Sequence, residues 1–296
     1  LPAAVAVKRA AGRNLFHDFC LAASILFLCL ASVFSSAATY YVDPVSGSDS
    51  SGWPGDISRP YLRLETVSPL LHEGDTVLLR EGHYSEDVFA PARSGASGNP
   101  ITVEAFPGES PVFSGDGDYG VVFNTGLGLS HFVIRGVHFQ DTLGHAIYIH
   151  DQSSDVLIEN CRFEHHHNGN QIYLVRASEV IIRDCYFDEV GSPSNYGSGE
   201  NIFVKGSHHV LIEKNYFSRA GHYAITVEHY LSYTEPSYAV VIRNNLIEQH
   251  WGGGISIGLH SRDCIVEGNR VYYAGEQVLS YPKTGIQIRS NRNIVR

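Results

Sequence analysis

The residue types best suited to acid–base chemistry in this sequence lie near position 205. Lys205 carries an amine that can accept a proton, and Glu200 and Glu228 carry carboxylates that can bind a divalent cation or exchange a proton. A base, a cation and a positively charged side chain such as Arg289 suit the removal of a proton next to a carboxylate, because they stabilise the charge that develops. The alternative is a surface salt bridge between Lys205 and Glu228, which contributes at most about 1 kcal/mol.

Other catalytic signatures are weak. His165–His167 are consecutive, and consecutive side chains rarely converge on one metal ion, so we expect a solvated turn there and also at His208–His209. No Ser-His-Asp order, phosphate-binding loop or Cys/His zinc spacing occurs in the sequence.

An internal repeat must position the residues around Lys205. An eight-residue block recurs as FVIRGVHF (132–139), VLIENCRF (156–163), VIIRDCYF (180–187), VLIEKNYF (210–217), VVIRNNLI (240–247) and CIVEGNRV (264–271). A further copy begins at Asn293 and is cut off at Arg296, so we expect a fragment whose C-terminal repeats are missing.

A second, shorter block lies between these copies. It reads AIYIHD (146–151), QIYLVR (171–176), NIFVKG (201–206), AITVEH (224–229), GISIGL (254–259) and GIQIRS (285–290). Apolar residues occupy every second position, which is the period of a β-strand, and Gly, Asn and Asp crowd the gaps. Short strands that stack repeat on repeat predict an all-β solenoid, a right-handed single-stranded parallel β-helix. The leucine-rich-repeat signature is absent, and a propeller blade needs a longer period.

Stacking aligns the outward residues of the second block in two columns, with neighbouring strands about 4.8 Å apart. One column contains Tyr148, Tyr173, Phe203, Thr226, Ser256 and Gln287. The other contains His150, Val175, Lys205, Glu228, Gly258 and Arg289. In the first block the sixth position predicts an inward stack at a bend, in which Asn215, Asn245 and Asn269 hydrogen-bond to bend amides and Cys161 and Cys185 are small core residues.

The amino-terminal part of the chain has a different sequence pattern from the repeats. Residues 39–115 predict a cap with the first turns of the solenoid, including a short helix within 62–72, and residues 116–296 predict the regular repeats. The segments YYVDP (40–44), GDTVLLREGHYSE (74–86) and PITVEA (100–105) resemble the opening of secreted β-helix proteins of the pectate-lyase-like superfamily. That superfamily includes polysaccharide lyases, polyuronate epimerases and glycoside hydrolases, so the resemblance implies the fold more firmly than one reaction.

A narrower resemblance concerns the segment Glu200–Lys205. It is similar to a motif of the alginate lyase and chondroitinase B family, in which an acidic Ca²⁺ ligand precedes a lysine base by five residues. The resemblance implies that Glu200 is a calcium ligand, that Lys205 is the base, and that the substrate is a uronate-containing polysaccharide cleaved by β-elimination. The family has an Arg-His pair where this chain has Glu228-His229, and a second acidic ligand where Gly197–Gly199 stand.

The complete predicted site follows from the repeat and this resemblance together. The predicted catalytic residues are Lys205, His229 and Arg289. The predicted calcium ligands are Glu200, Glu228 and Asn170. The predicted sugar-binding residues are Tyr148, His150, Tyr173, Phe203 and His222.

Two other functions compete with the lyase. A glycoside hydrolase needs two carboxyl groups about 5–10 Å apart, and Glu200 and Glu228 are the available pair; an epimerase on the same fold belongs to this alternative. The second competitor is a carbohydrate-binding or surface β-helix without catalysis, whose outward residues serve solubility.

The amino terminus predicts export. Lys8, Arg9 and Arg13 precede an apolar run from Cys20 to Phe34, and small residues follow, so residues 1–38 are expected to be a signal peptide of a secreted, extracellular or periplasmic protein. A membrane anchor is the alternative, but the run is short for a bilayer span.

The net charge limits the classes of ligand that the protein can bind, and the number of cysteines bears on disulfide bonding. The net charge of −10 becomes −12 when residues 1–38, with three basic residues and one acidic residue, are removed. An acidic surface argues against nucleic acid and anionic membranes as partners. We expect a monomer, and the expected ligand is a polysaccharide. Three cysteines remain after cleavage, Cys161, Cys185 and Cys264, which is not the pattern of a disulfide scaffold.

Overall fold

A computed structural model of the protein describes residues 36–115, 121–191, 199–228, 235–272 and 284–296. Residues 37–296 form one compact unit, whereas the other unit, Leu1–Ser36, lies outside the described residues except for Ser36. The predicted signal peptide therefore falls almost entirely outside the described part of the chain. No helix among the described residues has the length and apolarity needed to span a bilayer.

The described residues contain 25 strands, numbered β1 to β25 in chain order, in three parallel sheets. The first sheet has the order β1 (Thr39–Val42), β2 (Thr76–Leu79), β4 (Ile101–Ala105), β7 (Ser130–Arg135), β10 (Ser154–Glu159), β13 (Ser178–Arg183), β16 (His208–Glu213), β19 (Val241–Arg243), β22 (Ile265–Glu267) and β25 (Ile294–Val295). The second sheet has the order β3 (Gly82–Ser85), β5 (Pro111–Gly115), β8 (His138–Thr142), β11 (Arg162–Glu164), β14 (Tyr186–Phe187), β17 (Tyr216–Ser218), β20 (Leu246–Glu248) and β23 (Arg270–Tyr272). The third sheet has the order β6 (Val121–Leu127), β9 (His145–His150), β12 (Ile172–Val175), β15 (Ile202–Lys205), β18 (Tyr223–Glu228), β21 (Gly253–Ile257) and β24 (Ile286–Ile288).

This arrangement is the predicted right-handed parallel β-helix. Each complete turn of the solenoid, here called a rung, contributes one strand to each sheet, whereas the turns at the two ends of the described part contribute fewer. Each strand inside a sheet pairs with its counterparts in the rungs before and after it. The eight-residue block supplies the strands of the first two sheets, and the shorter block supplies the third sheet. In the third sheet Ile147, Ile172, Ile202, Ile225 and Ile255 are in register, as the sequence period predicts.

The three corners of each rung depend on residues in the left-handed backbone region. At the corner between the first and second sheets, Asn160, Asp184, Lys214 and Asn244 have φ between 53° and 56°. Gly and Asn adopt this conformation at little cost, whereas a lysine adopts it with a penalty of about 1–2 kcal/mol. The fifth position of the eight-residue block is therefore a turn position, and Lys214 is its least suited occupant.

The predicted asparagine stack is confirmed at the same corner. Asn215 Oδ1 accepts a hydrogen bond from the amide of Cys185 at 2.9 Å, and its Nδ2 donates to the carbonyl of Ile182 at 3.0 Å. Asn245 and Asn269 repeat this pattern one and two rungs further on. The stack therefore supplies hydrogen bonds to backbone amides and carbonyls at the bend that are buried from water.

Apolar side chains fill the interior in ladders. Phe139, Phe163, Phe187 and Phe217 stack with ring centroids 4.7–5.0 Å apart, and Phe113 continues the ladder on the amino-terminal side. Cys161, Cys185 and Cys264 are buried thiols without a disulfide. The prediction that Cys161 and Cys185 are small core residues is confirmed.

A short helix closes the amino-terminal rung. Helix α1 (Leu64–Val67) continues as a 3₁₀ helix (Ser68–Leu70), and Leu64, Val67 and Leu71 are fully buried. The carboxylate of Asp87 accepts the amides of Leu64 and Glu65 at 2.7 and 2.9 Å, which satisfies the open end of the helix. The predicted capping helix is confirmed, and Pro69 falls where the α-helix gives way to the 3₁₀ turn.

Two histidines occupy the interior of the corner between the second and third sheets. His166 and His250 are each 1% exposed, and the Nε2 atom of each is buried without a hydrogen-bond partner among the described residues. Burial lowers the pKa of both rings to about 3. The prediction of a solvated turn at His165–His167 is therefore wrong for His166, whose side chain points into the core because it aligns with the buried Val190 of the next rung.

Candidate functional site on the outer face of the third sheet

The outer face of the third sheet carries the predicted site, and it has three columns rather than two. Lys205 pairs in register with Val175 and Glu228, and Phe203 pairs with Tyr173 and Thr226, as the two predicted columns require. A third column lies two residues before the first inward isoleucine of each strand. It contains His145, Asn170, Glu200, Tyr223, Gly253 and Thr284.

A continuous row of rings runs along this face parallel to the solenoid axis. This aromatic row consists of His145, Tyr148, Tyr173 and Phe203. Tyr148 and Tyr173 stack with centroids 5.4 Å apart and planes 14° apart, and Phe203 lies 5.4 Å from Tyr173. His145 lies 4.8 Å from the Tyr173 ring. Since stacked rings cover part of each other's faces, the row offers mainly ring edges and hydroxyl groups to a ligand.

Lys205 joins the aromatic row. Its side chain crosses one rung diagonally, and Nζ donates a hydrogen bond to the hydroxyl of Tyr173 at 3.5 Å. Arg176 lies beside it on the preceding rung, where its amide donates to the carbonyl of Lys205 at 2.9 Å. The guanidinium of Arg176 pairs with the carboxylate of Asp151. One amine and one guanidinium therefore lie next to the row on an otherwise acidic protein.

His150 is fixed at the amino-terminal end of the row. Its ring stacks on Tyr148 with centroids 4.2 Å apart. Nδ1 lies 2.9 Å from Oδ2 of Asp151, and Nε2 lies 2.9 Å from Oδ1 of Asn124. Burial, and secondly the charge of Arg176, lowers the pKa of His150 below its ordinary value. These contacts hold the ring in one orientation.

Glu200, in the third column, forms a separate pair with His222 on the next rung. Oε1 of Glu200 lies 2.6 Å from Nδ1 of His222 and accepts a hydrogen bond from the hydroxyl of Thr226 at 3.5 Å. Asn170 supports the pair from the preceding rung, because its Oδ1 accepts the amide of Glu200 at 3.0 Å. Glu200 is 7% exposed, so its charge is compensated by these contacts more than by water.

Two side chains of β18 reach across the glycine-rich strand β21. Glu228 lies over Gly258, one rung further on. Its Oε1 atom lies 3.4 Å from a guanidinium nitrogen of Arg289, two rungs further on. Tyr223 lies over Gly253, and its hydroxyl donates to Oε1 of Gln287 at 2.8 Å. A side chain at Gly253 would overlap the tyrosine ring, because a Cβ atom built there lies 2.0 Å from it. The glycines thus permit contacts between rungs that are not adjacent.

The described residues do not assemble the predicted calcium site. Calcium binds six to eight oxygen atoms, usually including several carboxylates. Glu200 faces His222, Glu228 faces Arg289, and the side-chain oxygen of Asn170 faces a backbone amide. Among residues 36–115, 121–191, 199–228, 235–272 and 284–296, no group of three or more His, Cys, Asp or Glu side chains suits a metal ion. Calcium stays a prediction.

The structure divides the predicted site residues into three groups. Lys205 lies with Tyr148, Tyr173, Phe203 and His150; Glu200 lies with His222 and Asn170; and Glu228 lies with Arg289. His229 lies outside the described residues. The sequence did not predict His145 and Arg176 as site residues. His145 directly precedes one copy of the shorter block and Arg176 ends another, so neither follows the alternation of inward and outward residues.

The chain belongs to the right-handed β-helix family. Residues 119–296, more than half of the chain, match the family model described as the right handed beta helix region. Among curated proteins, the chain is 30% identical over 131 residues to the uncharacterized protein YwoF of Bacillus subtilis (strain 168). That match covers 40% of this chain and 27% of YwoF, so the chain spans about a quarter of the length of this relative.

Several solved structures share the fold. The pectate lyase Pel9A superposes with a TM-score of 0.56 and 16% identity, over 87% of this chain and 77% of that one. A rhamnogalacturonan lyase gives a TM-score of 0.53 and 16% identity, over 87% and 86% of the two chains. An alginate lyase from Paenibacillus sp. str. FPU-7 gives a TM-score of 0.50 and 15% identity, over 77% and 96%. At these identities the likeness concerns the fold.

Proposed function

We propose that this protein binds an acidic polysaccharide along the outer face of the third sheet and cleaves it by β-elimination, with Lys205 as the base. The observation that carries the proposal is the amine of Lys205, placed 3.5 Å from the Tyr173 hydroxyl within a continuous aromatic row. The shared fold with a pectate lyase, a rhamnogalacturonan lyase and an alginate lyase supports a substrate of this class.

The row suits an extended sugar chain. Its side chains follow one another at the strand spacing of about 4.8 Å, close to the length of one pyranose residue in a polymer. Tyr148 and Tyr173 present hydroxyl groups and ring edges, which hydrogen-bond and contact sugars, while Phe203 extends the apolar surface. The polymer would therefore lie parallel to the solenoid axis and contact successive rungs.

The chemistry follows from the groups beside the row. A neutral amine of Lys205 removes the proton next to the uronate carboxylate, and the electron pair left behind expels the oxygen on the neighbouring carbon. Arg176, whose backbone lies beside Lys205 on the preceding rung and whose guanidinium pairs with Asp151, is the proposed group that stabilises the negative charge on the carboxylate. Arg289 lies three rungs beyond Lys205 and would contact a more distant sugar.

Two further expectations belong to this proposal. An enzyme that acts on a polysaccharide outside the cell must be exported, so the proposed function agrees with the proposed signal peptide in residues 1–38 and with secretion. Calcium dependence is proposed as well, with the ion bridging the acidic protein and its acidic substrate, and no step above requires it. Amino-terminal sequencing of exported protein tests cleavage after Ala38.

The experiment that tests the function follows unsaturated uronate products by their ultraviolet absorbance. The protein is incubated with polygalacturonate, rhamnogalacturonan, alginate and chondroitin, each with Ca²⁺ and with a chelator. A rise on one polymer supports the lyase, and its loss in chelator supports calcium. Flat traces on all four, with folded protein that still binds a polymer, would instead favour a binding module; new reducing ends without absorbance would favour a hydrolase.

A further inference from the structure

The ring of Tyr173 is contacted by other rings on both sides, and its hydroxyl faces the amine of Lys205. The ring is contacted on one side by Tyr148 and His145 and on the other by Phe203, with centroids 4.8–5.4 Å away. Tyr173 and Lys205 stand on adjacent strands, β12 and β15, so the strand pairing fixes the distance between their backbones. The result is a phenol hydroxyl and an amine 3.5 Å apart on the same outer face.

We propose that Tyr173 is the general acid that protonates the leaving oxygen, in partnership with Lys205 as the base; this rests on the proposed elimination. In a 4-linked uronate the proton to be removed is on C5 and the leaving oxygen is on C4, so the two reacting groups are on neighbouring atoms. An acid and a base must then be a few ångströms apart to reach both. Tyr173 and Lys205 meet this requirement from one side of the sugar.

The reaction balances without a further reactant. The lone pair of the neutral Lys205 amine takes the C5 proton, and the C5–H electron pair forms the C4–C5 double bond. The C4–O bond breaks, and the departing oxygen takes the proton of the Tyr173 hydroxyl. The lysine ammonium then returns a proton to the tyrosinate along their hydrogen bond, which restores both groups.

The test compares Tyr173→Phe and Lys205→Ala on two substrates. On the responsive polymer, removal of a general acid should lower kcat by about 10²–10⁴-fold with little change in KM, because the phenyl ring keeps its stacking contacts. On a uronide whose C4 substituent is an acidic nitrophenol, the leaving group needs no proton. Tyr173→Phe should then recover to within about tenfold of the wild type, while Lys205→Ala stays inactive.

Tyr186→Phe is the matched control. Tyr186 lies on the second sheet, and its hydroxyl has a comparable 3.5 Å contact, with Asp188. This variant should keep wild-type rates on both substrates. If the wild-type protein forms no unsaturated product, the proposed function itself is overturned. Active wild type with an equally active Tyr173→Phe, or with a Tyr173→Phe defect that is equal on both substrates, leaves the lyase intact but overturns the role of Tyr173 as the acid.

Discussion

Mild acid should destabilise this protein through its two interior histidines. His166 and His250 are buried, the Nε2 atom of each lacks a hydrogen-bond partner among the described residues, and burial lowers the pKa of each from 6.5 to about 3. Below pH 6.5 the unfolded chain therefore binds more protons than the folded chain. The stability that depends on these neutral rings is complete above pH 6.5 and is lost as the pH falls from 6.5 toward 3.

The size of the effect follows from the two pKa values. Between pH 7.5 and pH 5.0, an ordinary histidine in the unfolded chain becomes almost fully protonated while the buried ring stays neutral. Each histidine then costs about 2 kcal/mol, and the two together cost about 4 kcal/mol. That is a large fraction of the roughly 5–15 kcal/mol that stabilises a typical domain. This range also lies above the pH at which most carboxylates titrate, so it isolates histidine.

Urea unfolding at half-unit steps from pH 7.5 to 5.0 measures this loss. The matched variant is His166→Asn with His250→Asn, because asparagine does not titrate and places an oxygen near the position of Nδ1. The double variant should lose about 4 kcal/mol less than the wild type over the same range. Equal pH slopes in the two proteins would refute the reasoning, and so would a wild type whose free energy of unfolding is flat.

Three further outcomes follow from the fold. Asn215→Ala should lower the free energy of unfolding by about 2–5 kcal/mol, measured by urea titration, because the amide of Cys185 and the carbonyl of Ile182 lose buried hydrogen bonds. Lys214→Asn should raise the free energy of unfolding by up to about 1 kcal/mol, and the urea midpoint with it, since residue 214 has a φ of 56°. An unchanged midpoint would contradict this. Burial raises the pKa of the Cys185 thiol well above its ordinary range, so a thiol reagent should modify Cys185 only after unfolding, and fast labelling of native protein would contradict the burial.

The solenoid was predictable because strand period and strand stacking are both visible in the sequence. The inward isoleucines of the shorter block recur at every second position, and a parallel stack with a buried face permits one register only, so Lys205 was correctly placed beside Glu228. The asparagine stack was predictable for a similar reason, because a repeated polar residue at a buried bend needs a repeated partner.

Contacts that depend on corner geometry were not predictable. His166 points inward because the corner turns through the left-handed His165, which has a φ of 53°, and no strand period extends through such a turn. Glu200 meets His222 because its side chain crosses to the next rung, a choice that sequence spacing does not encode. The reach of Glu228 to Arg289 likewise depends on the missing side chain at Gly258.

The most direct test of the central claim compares Lys205→Ala with Lys214→Ala on the polymer that the wild type cleaves. Lys214 is the control because it lies at a corner beside the first sheet, away from the aromatic row. If the Lys205 amine is the base, Lys205→Ala should lose at least about 10²-fold in the rate of unsaturated-product formation while unfolding at the same urea concentration, and Lys214→Ala should keep the wild-type rate. Equal rates for Lys205→Ala and the wild type would contradict a catalytic site on the outer face of the third sheet.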